Sequence, residues 1–170
     1  MSHGKTLAMH VLDGRKIDYQ VIEFPETIHD ALGVAEHAHL PPGQVYKTLV
    51  VQVVDPATLA PLRSRKPLLI LVGADCTLDP KKVAAALGVK RVAMARQADA
   101  ERLTGLKVGG ISALALLHRG FDVYVDEPAM LLDAFVISAG QRGLNLRLAV
   151  DDFVQVTGAR WLDAGRDTSG

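Results

Sequence analysis

One lysine occupies a strand position where its neighbours on the same face are all apolar. The segment 44–54, QVYKTLVVQVV, is rich in β-branched and aromatic residues and is followed by Asp55-Pro56, which is typical of a β-strand. Because side chains alternate between the two faces of a strand, Lys47 shares its face with apolar residues only: Val45, Leu49, Val51 and Val53. An unpaired buried charge is costly, so the amine must reach water, a partner or a ligand. Two interpretations stay open: Lys47 reaches solvent from the end of the strand, or it lines a cleft and binds an anion.

A second candidate for chemistry is the glycine pair at Gly109-Gly110. Glycines allow close backbone approach to a ligand, and backbone N–H groups in such a loop could hold a carbonyl oxygen; an ordinary turn is the alternative. Ser112 follows the pair but lacks the G-x-S-x-G pattern of a nucleophile elbow. Cys76 is the single cysteine and has no His near it in sequence, so we interpret it as a small core or loop residue and not as a nucleophile.

Composition limits the classes of protein that the chain can belong to. Its 170 residues predict one domain over 1–170, with an aliphatic core because 49% are hydrophobic but only 5% aromatic. No apolar run approaches the ~20 residues of a membrane span, and the first residues lack a signal-peptide pattern, so we expect a cytoplasmic protein. One cysteine excludes an internal disulfide, and the spacing of His29, His37 and His39 predicts surface residues and no metal site. The net charge of zero predicts that any nucleic-acid contact is local and salt-sensitive.

The order of the predicted elements favours an α+β fold. Helices are predicted over 2–13, 27–39 with Thr27 as the cap, 79–87, 99–104, 128–132 and 151–156. Strands are predicted over 18–24, 44–54, 67–73, 90–94, 122–126, 135–139 and 144–150. We expect 67–73 to pair with 44–54 as a hairpin, and the tail from Asp163 to lack regular structure. Because a regular βαβ alternation is missing, a mixed or antiparallel sheet, curled toward a barrel, is expected in place of a doubly wound parallel sheet.

Four motifs, in this order along the chain, resemble one family. They are VYKTL at 45–49, DPKKVA at 79–84, Thr104-Gly105 with VGGIS at 108–112, and SAGQRGL at 138–144. From about residue 17 to residue 163 the chain resembles the YbaK/EbsC family of free-standing aminoacyl-tRNA deacylases, which are related to the editing domain of bacterial prolyl-tRNA synthetase. The resemblance implies a mixed, barrel-like sheet flanked by short helices. It also implies removal of a mischarged amino acid from tRNA, chiefly cysteine from tRNA(Pro), without metal or cofactor.

The resemblance also implies a mechanism and a set of site residues. In the YbaK group the cysteine thiol of the substrate is thought to attack its own ester carbonyl, giving a thiolactone and free tRNA. By this resemblance Lys47 binds the phosphate or ribose region of the terminal adenosine, and the Gly109 and Gly110 backbone contacts the aminoacyl carbonyl. The expected pocket residues are Thr48, Ser138 after the late strand, Asn145, and Phe24, which stands where the YbaK group has a tyrosine.

Three departures from the family pattern bear on substrate choice. Ala113 stands where Pro usually follows Gly-Ile-Ser, Asn145 stands where the Arg-Gly-Leu motif usually continues with Asp, and the shorter segment 28–30 lacks the usual Phe. A hydrolytic deacylase for another small amino acid, such as alanine, therefore stays open, as does a non-catalytic module that binds tRNA or a synthetase. The neutral net charge favours a transient complex with prolyl-tRNA synthetase, which would present the tRNA.

Overall fold

A computed structural model describes residues 4–168 of the chain. The helices are α1 (Leu7–Gly14), α2 (Ala31–His37), α3 (Pro80–Leu87), α4 (Gln97–Thr104) and α5 (Val150–Thr157), with 3₁₀ turns at Pro42–Gln44, Ala113–Leu116 and Glu127–Leu131. The strands are β1 (Gln20–Glu23), β2 (Tyr46–Val53), β3 (Leu68–Gly73), β4 (Cys76–Leu78), β5 (Val92–Met94), β6 (Asp122–Asp126), β7 (Ala134–Gln141), β8 (Leu144–Ala149), β9 (Arg160–Leu162) and β10 (Gly165–Asp167). No helix within this described range is long and apolar enough to cross a membrane.

The mixed α+β architecture expected from the sequence is confirmed. A five-stranded sheet has the order β5-β2-β3-β6-β9, in which β3, β6 and β9 run parallel and the other pairs are antiparallel. A second sheet has the order β1-β8-β7 and a third joins β10 to β4. The expected curl toward a barrel does not lead to closure, because the strands divide among three sheets that are not closed into a barrel.

The five-stranded sheet has apolar clusters on both faces. Val51 and Val53 of β2 belong to a cluster that includes Val83 and Ala84 of α3. Tyr46 and Val50, on the other face, belong to the larger cluster that includes Phe135 of β7 and Phe153 of α5. The Phe135 ring centroid lies 5.4 Å from that of Tyr46 and 5.3 Å from that of Phe153. β2 and β3 pair antiparallel, as the sequence predicted, and apolar clusters cover both faces of this hairpin.

Local sequence features explain several helix ends. The Asp79 carboxylate caps α3 by accepting bonds from the N–H groups of Lys81 and Lys82, and Gly88 ends the helix with a left-handed φ of 68°. The predicted Thr27 cap of α2 is wrong. Thr27 lies in a turn in which the Ile28 N–H donates to the Pro25 carbonyl. Helix α2 begins later, at Ala31, and Asp30 is its cap: the Gly33 N–H donates to Asp30 Oδ1 at 2.9 Å.

The prediction that the tail lacks structure is also wrong. Residues Gly165–Asp167 form β10 and pair antiparallel with Cys76–Leu78. The preceding Ala164 N–H donates to the buried Asp126 carboxylate at 2.9 Å, and the Lys82 ammonium donates to the Gly165 carbonyl at 2.9 Å. Two side chains far away in sequence therefore hold this short polar strand, which explains why its own composition did not predict it.

Candidate active site

A cleft of about 530 Å³ lies beside the part of β2 that β5 leaves uncovered. β5 pairs only with Val51–Val53 of β2, whereas the cleft is lined by Tyr46–Val50 and by the residues just after β5, including Ala95 and Gln97. An uncovered strand edge presents unpaired backbone N–H and C=O groups. The sheet therefore supplies backbone polar groups to the cleft in addition to side chains.

The hydrogen-bond register of β2 identifies which backbone groups face the cleft. The Val45 carbonyl accepts from Ala74, on the β3 side, and the Val50 carbonyl accepts from Ala95, on the β5 side, at 2.8 and 2.9 Å. Because successive residues of a strand direct their backbone groups to opposite sides, the N–H and C=O of Thr48 point away from β3. The open edge therefore contributes the Thr48 backbone to the same cleft that Lys47 lines.

Lys47 lines the cleft and is half-buried. Its ammonium donates a 2.7 Å hydrogen bond to the backbone carbonyl of Cys76. Burial lowers the pKa of Lys47, and the charges of Cys76, Asp75 and Asp30 offset part of that effect. No ion pair within 4.0 Å involves Lys47 in the part of the chain that the structure describes. The amine is therefore held by a neutral acceptor, and no described carboxylate forms an ion pair with it.

The loop 105–111 lines another part of the cleft and is fixed by two side chains. The Val108 N–H donates to the Glu101 carboxylate and the Val108 carbonyl accepts from Arg142 Nε, both at 2.8 Å. These partners come from α4 and from the β7–β8 turn, so the loop is held from two sides. Such bracing gives a backbone donor a fixed position, which is what carbonyl or oxyanion stabilisation requires.

The two glycines of this loop are required for different reasons. Gly109 has a φ of 93°, which side chains rarely adopt, and it lines the cleft. Gly110 passes so close to the β7–β8 turn that a Cβ would lie 2.9 Å from the Arg142 nitrogen. The Gly110 N–H already donates to the Lys107 carbonyl at 2.8 Å, whereas the Gly109 N–H makes no hydrogen bond within residues 4–168. Of the pair, Gly109 is therefore the one with a free donor.

The remaining predicted site residues come from two neighbouring strands and the segment after β1. Ser138 and Asn145 are directly opposite each other on β7 and β8, and both line the cleft with the buried Phe24. Ser138 lies within β7, just before an irregularity in the strand, as the strand predicted over 135–139 implies. Its hydroxyl accepts from the Gly140 N–H at 3.1 Å. The Asn145 amide is 7% exposed and makes no side-chain hydrogen bond among the described residues, so its donor and acceptor are available to a ligand.

Most of the predicted residues share this one cleft. Gly110 is the exception: it lines a neighbouring hollow of about 720 Å³ together with Lys107, Arg142 and Gly140. Sequence reasoning missed His29, which borders both cavities, and Asp30, Gln97 and Ile111, which line the main cleft. His29 was interpreted as a surface residue, and it is exposed. A Cβ added at Gly109 would lie 3.4 Å from the His29 carbonyl oxygen, so the loop 105–111 passes next to His29. No local sequence pattern indicates this proximity of two distant segments.

Other groups that could have supplied chemistry lie elsewhere. Cys76 does not line the cleft, and burial raises the pKa of its thiol to about 11, with Asp75 adding to the effect. Ser112 has a buried hydroxyl without a hydrogen-bond partner in residues 4–168 and is absent from the cleft lining. No group of three or more His, Cys, Asp or Glu side chains within the described range could hold a metal ion.

Comparison with known proteins assigns the family. The model of the aminoacyl-tRNA editing domain matches residues 25–156, which include β2, the loop 105–111 and the β7–β8 pair. The chain belongs to the aminoacyl-tRNA editing family. This editing protein is 32% identical over 161 residues to an Enterococcus faecalis protein named "Putative Cys-tRNA(Pro)/Cys-tRNA(Cys) deacylase EbsC", covering 94% of this chain and 92% of that one.

Two solved structures share the fold of the editing protein. The crystal structure of a hypothetical protein has a TM-score of 0.81 at 19% identity and covers 95% of this chain and all of its own. A structure described as "a putative trans-editing enzyme for prolyl tRNA synthetase" has a TM-score of 0.75 at 21% identity, with 94% and 95% of the two chains covered. At these identities the likeness concerns the fold. The family match and the 32% identical relative place the chain in the family of aminoacyl-tRNA editing proteins and deacylases.

Proposed function

We propose that this editing protein is a trans-acting deacylase that releases cysteine from mischarged Cys-tRNA(Pro). The observation that carries the proposal is the content of the cleft: one half-buried ammonium at Lys47, a free backbone donor at Gly109 and an unpartnered amide at Asn145. The name of the Enterococcus relative supports cysteine as the amino acid, and the description of the trans-editing neighbour, which names prolyl tRNA synthetase, supports tRNA(Pro).

Each of these residues has a role in the proposed complex. The Lys47 ammonium binds the phosphate or ribose region of the terminal adenosine, and the Gly109 N–H donates to the aminoacyl carbonyl oxygen. Thr48, Ser138 and Asn145 contact the aminoacyl group. Phe24 forms an apolar wall of the pocket that holds this group. Gly110 shapes the loop and does not donate, because its N–H is already bonded to Lys107.

The reaction uses the thiol of the substrate. Its sulfur bonds to the ester carbonyl carbon, the carbon–oxygen bond to the ribose breaks, and the thiol proton ends on the ribose hydroxyl. The products are a cysteine thiolactone and free tRNA. The protein contributes by holding the thiol against the carbonyl, and orientation of this kind can be worth roughly 7–11 kcal/mol. A hydrogen bond from Gly109 to the developing oxyanion lowers the barrier further.

Hydrolytic removal of another small amino acid, such as alanine, is the second candidate. Asn145 favours it, because a buried neutral amide without a protein partner could position a water molecule as readily as an aminoacyl group. The two candidates share the cleft and the ester substrate, and they differ in the atom that attacks the carbonyl. A non-catalytic module that binds tRNA or a synthetase is the third.

The test is release of the amino acid from tRNA(Pro) charged with cysteine, S-methylcysteine or alanine. Methylation removes the attacking thiol while it retains the ester and a similar side chain. We expect rapid release of cysteine, release from the other two substrates that is slower by at least tenfold, and loss of cysteine release in Lys47→Ala. Lys81→Ala is the matched control, because Lys81 is exposed and does not line the cleft. Addition of prolyl-tRNA synthetase should raise the rate at low tRNA concentration.

Two outcomes would redirect the assignment. Equal release of cysteine and S-methylcysteine, or release of alanine alone, would replace the thiol route by hydrolysis. Release of no amino acid from any of the three would reject the deacylase assignment for tRNA(Pro) and favour the module that only binds tRNA or a synthetase.

A further inference from the structure

A row of exposed cations crosses the end of the five-stranded sheet that is remote from Lys47. Three of them follow one another in the loop between β2 and β3, a fourth precedes β5 and a fifth begins β9. We name this set the sheet-end basic surface: Arg63, Arg65, Lys66, Arg91 and Arg160. The strand register brings these residues to one end of the sheet. The Arg91 carbonyl accepts a hydrogen bond from the Val54 N–H at the end of β2. The first residues of β3 and β6, Leu68 and Asp122, pair with each other. Neighbouring strands are about 4.8 Å apart, so five strands span about 19 Å.

These cations have little compensation from nearby carboxylates. None of the five forms an ion pair within 4.0 Å among residues 4–168. Asp55 is close to this end, but its carboxylate caps its own turn by accepting from the N–H groups of Ala57 and Thr58, both at 2.9 Å. Asp122 is half-buried beside Lys66. Five cations against these two carboxylates leave the surface with a formal excess of three positive charges, in a chain whose net charge is zero.

A hollow of about 540 Å³ lies within this surface. Arg65, Lys66 and Arg160 line it together with the aromatic residues Tyr124 and Trp161. The Arg160 guanidinium lies 5.7 Å from the centroid of the Tyr124 ring, which holds the charge at the rim of the hollow. Cations interleaved with aromatic rings are typical of surfaces that bind nucleic acid.

We propose that the sheet-end basic surface binds the phosphate backbone of the acceptor stem of a tRNA whose 3′ end is in the cleft. This inference rests on the proposed function, which supplies the RNA. From Lys47 to Val53 is six residues of strand, or about 20 Å at 3.3 Å per residue, so the duplex that follows the 3′ end is within reach. Exposed cations contribute little to folding stability, but each phosphate they neutralise releases counterions and strengthens RNA binding. A row about 19 Å long fits a polyanion better than a single phosphate group.

The experiment uses the full chain and an RNA minihelix made of the acceptor arm, without an attached amino acid. Binding is measured between 50 and 200 mM salt by fluorescence anisotropy for the wild type, for Arg63→Gln/Arg65→Gln/Lys66→Gln, and for the control Arg15→Gln/Lys81→Gln/Arg147→Gln. All six positions are exposed, both triples remove three positive charges, and the control residues lie outside the sheet-end basic surface. We expect the first triple variant to bind the minihelix about tenfold more weakly than the wild type. The slope of log affinity against log salt concentration should become less steep by about one for each phosphate that is no longer neutralised. Turnover of cysteinyl-adenosine, which has no acceptor stem, should be the same for both triples.

The proposal would be overturned by no binding of the minihelix to the wild type, by equal losses of affinity in both triple variants, or by no loss in the first. A loss confined to stimulation by the synthetase, at unchanged RNA affinity, would also overturn it and assign the surface to a protein partner. Because binding is measured without a reaction, a wild type that binds the minihelix through this surface but releases no amino acid would contradict the proposed function alone.

Discussion

Two parts of the cleft lining are built in different ways. On the β2 edge the sheet ladder fixes the backbone, so the Thr48 backbone groups and the Lys47 side chain take their positions from strand register. The loop 105–111 has no ladder and is fixed by the side chains of Glu101 and Arg142 and by the absence of side chains at its glycines. The difference implies that the backbone position of the β2 edge depends on strand pairing, whereas the position of the loop depends on a few side-chain contacts.

Of the changes that distinguish the loop 105–111 from the β2 edge, Gly110→Ala should have the largest effect on kcat/KM. Its Cβ would lie 2.9 Å from the Arg142 nitrogen and 3.0 Å from the Gln141 carbonyl carbon, and backbone atoms cannot yield as a flexible side chain can. Overpacking of this kind costs about 1–3 kcal/mol and must displace the neighbouring Gly109 donor. We expect kcat/KM for the charged tRNA to fall at least tenfold and the melting temperature to fall.

Gly120→Ala is the matched control for this loss. Gly120 has a positive φ, 80°, which Gly110 does not have, and a Cβ at Gly120 meets nothing within 4 Å. Gly120 does not line the cleft. It should lower stability through backbone strain of about 1–2 kcal/mol and retain activity in the fraction that stays folded. An equal loss of kcat/KM in both variants would show that stability alone, and not the position of the loop, sets the rate.

The sequence predicted the β2 edge better than the loop, for a physical reason. Alternation of side chains is a local property, so it gave the strand, the hairpin with β3 and the anomaly at Lys47. The glycine pair indicated a close approach, but which glycine keeps a free N–H depends on the Lys107 carbonyl in the folded turn. His29 and β10 were missed because their positions depend on contacts with residues far away in the chain.

The pH dependence of Lys47 sharpens the description of the β2 edge. Burial lowers its pKa, so a ¹³C NMR titration of the side chain should have its midpoint below the ordinary 10.5. Below the folded-state pKa both the folded and unfolded chains carry the charge, and the cost of burying it is fully present. Between that pKa and 10.5 the unfolded chain binds more protons, so folding stability rises with pH.

This titration has a functional consequence and a control. In the proposed complex, deprotonation of Lys47 removes the charge that binds the adenosine phosphate. RNA binding at the cleft should therefore weaken as the pH rises through the pKa of Lys47. Lys47→Met lacks the titrating group, and the free energy of unfolding of the wild type should therefore rise relative to this variant across the window. A midpoint at or above 10.5 would mean that the ammonium is solvated, as in the interpretation in which Lys47 reaches solvent from the strand end.

Cys76 should give the smallest effect, although it is the residue that holds Lys47. The contact is made by the Cys76 backbone carbonyl, 2.7 Å from the Lys47 ammonium, and β4 pairing with β10 keeps that carbonyl in place whatever the side chain is. Cys76→Ala should therefore change kcat/KM for cysteinyl-tRNA less than twofold. Because burial raises the thiol pKa to about 11, iodoacetamide at pH 7.5 should label the wild-type protein slowly, and labelling should accelerate as pH rises toward that value. A loss of activity of a hundredfold in Cys76→Ala, with the fold intact by circular dichroism, would make the protein's own sulfur a nucleophile and remove the need for the substrate's thiol.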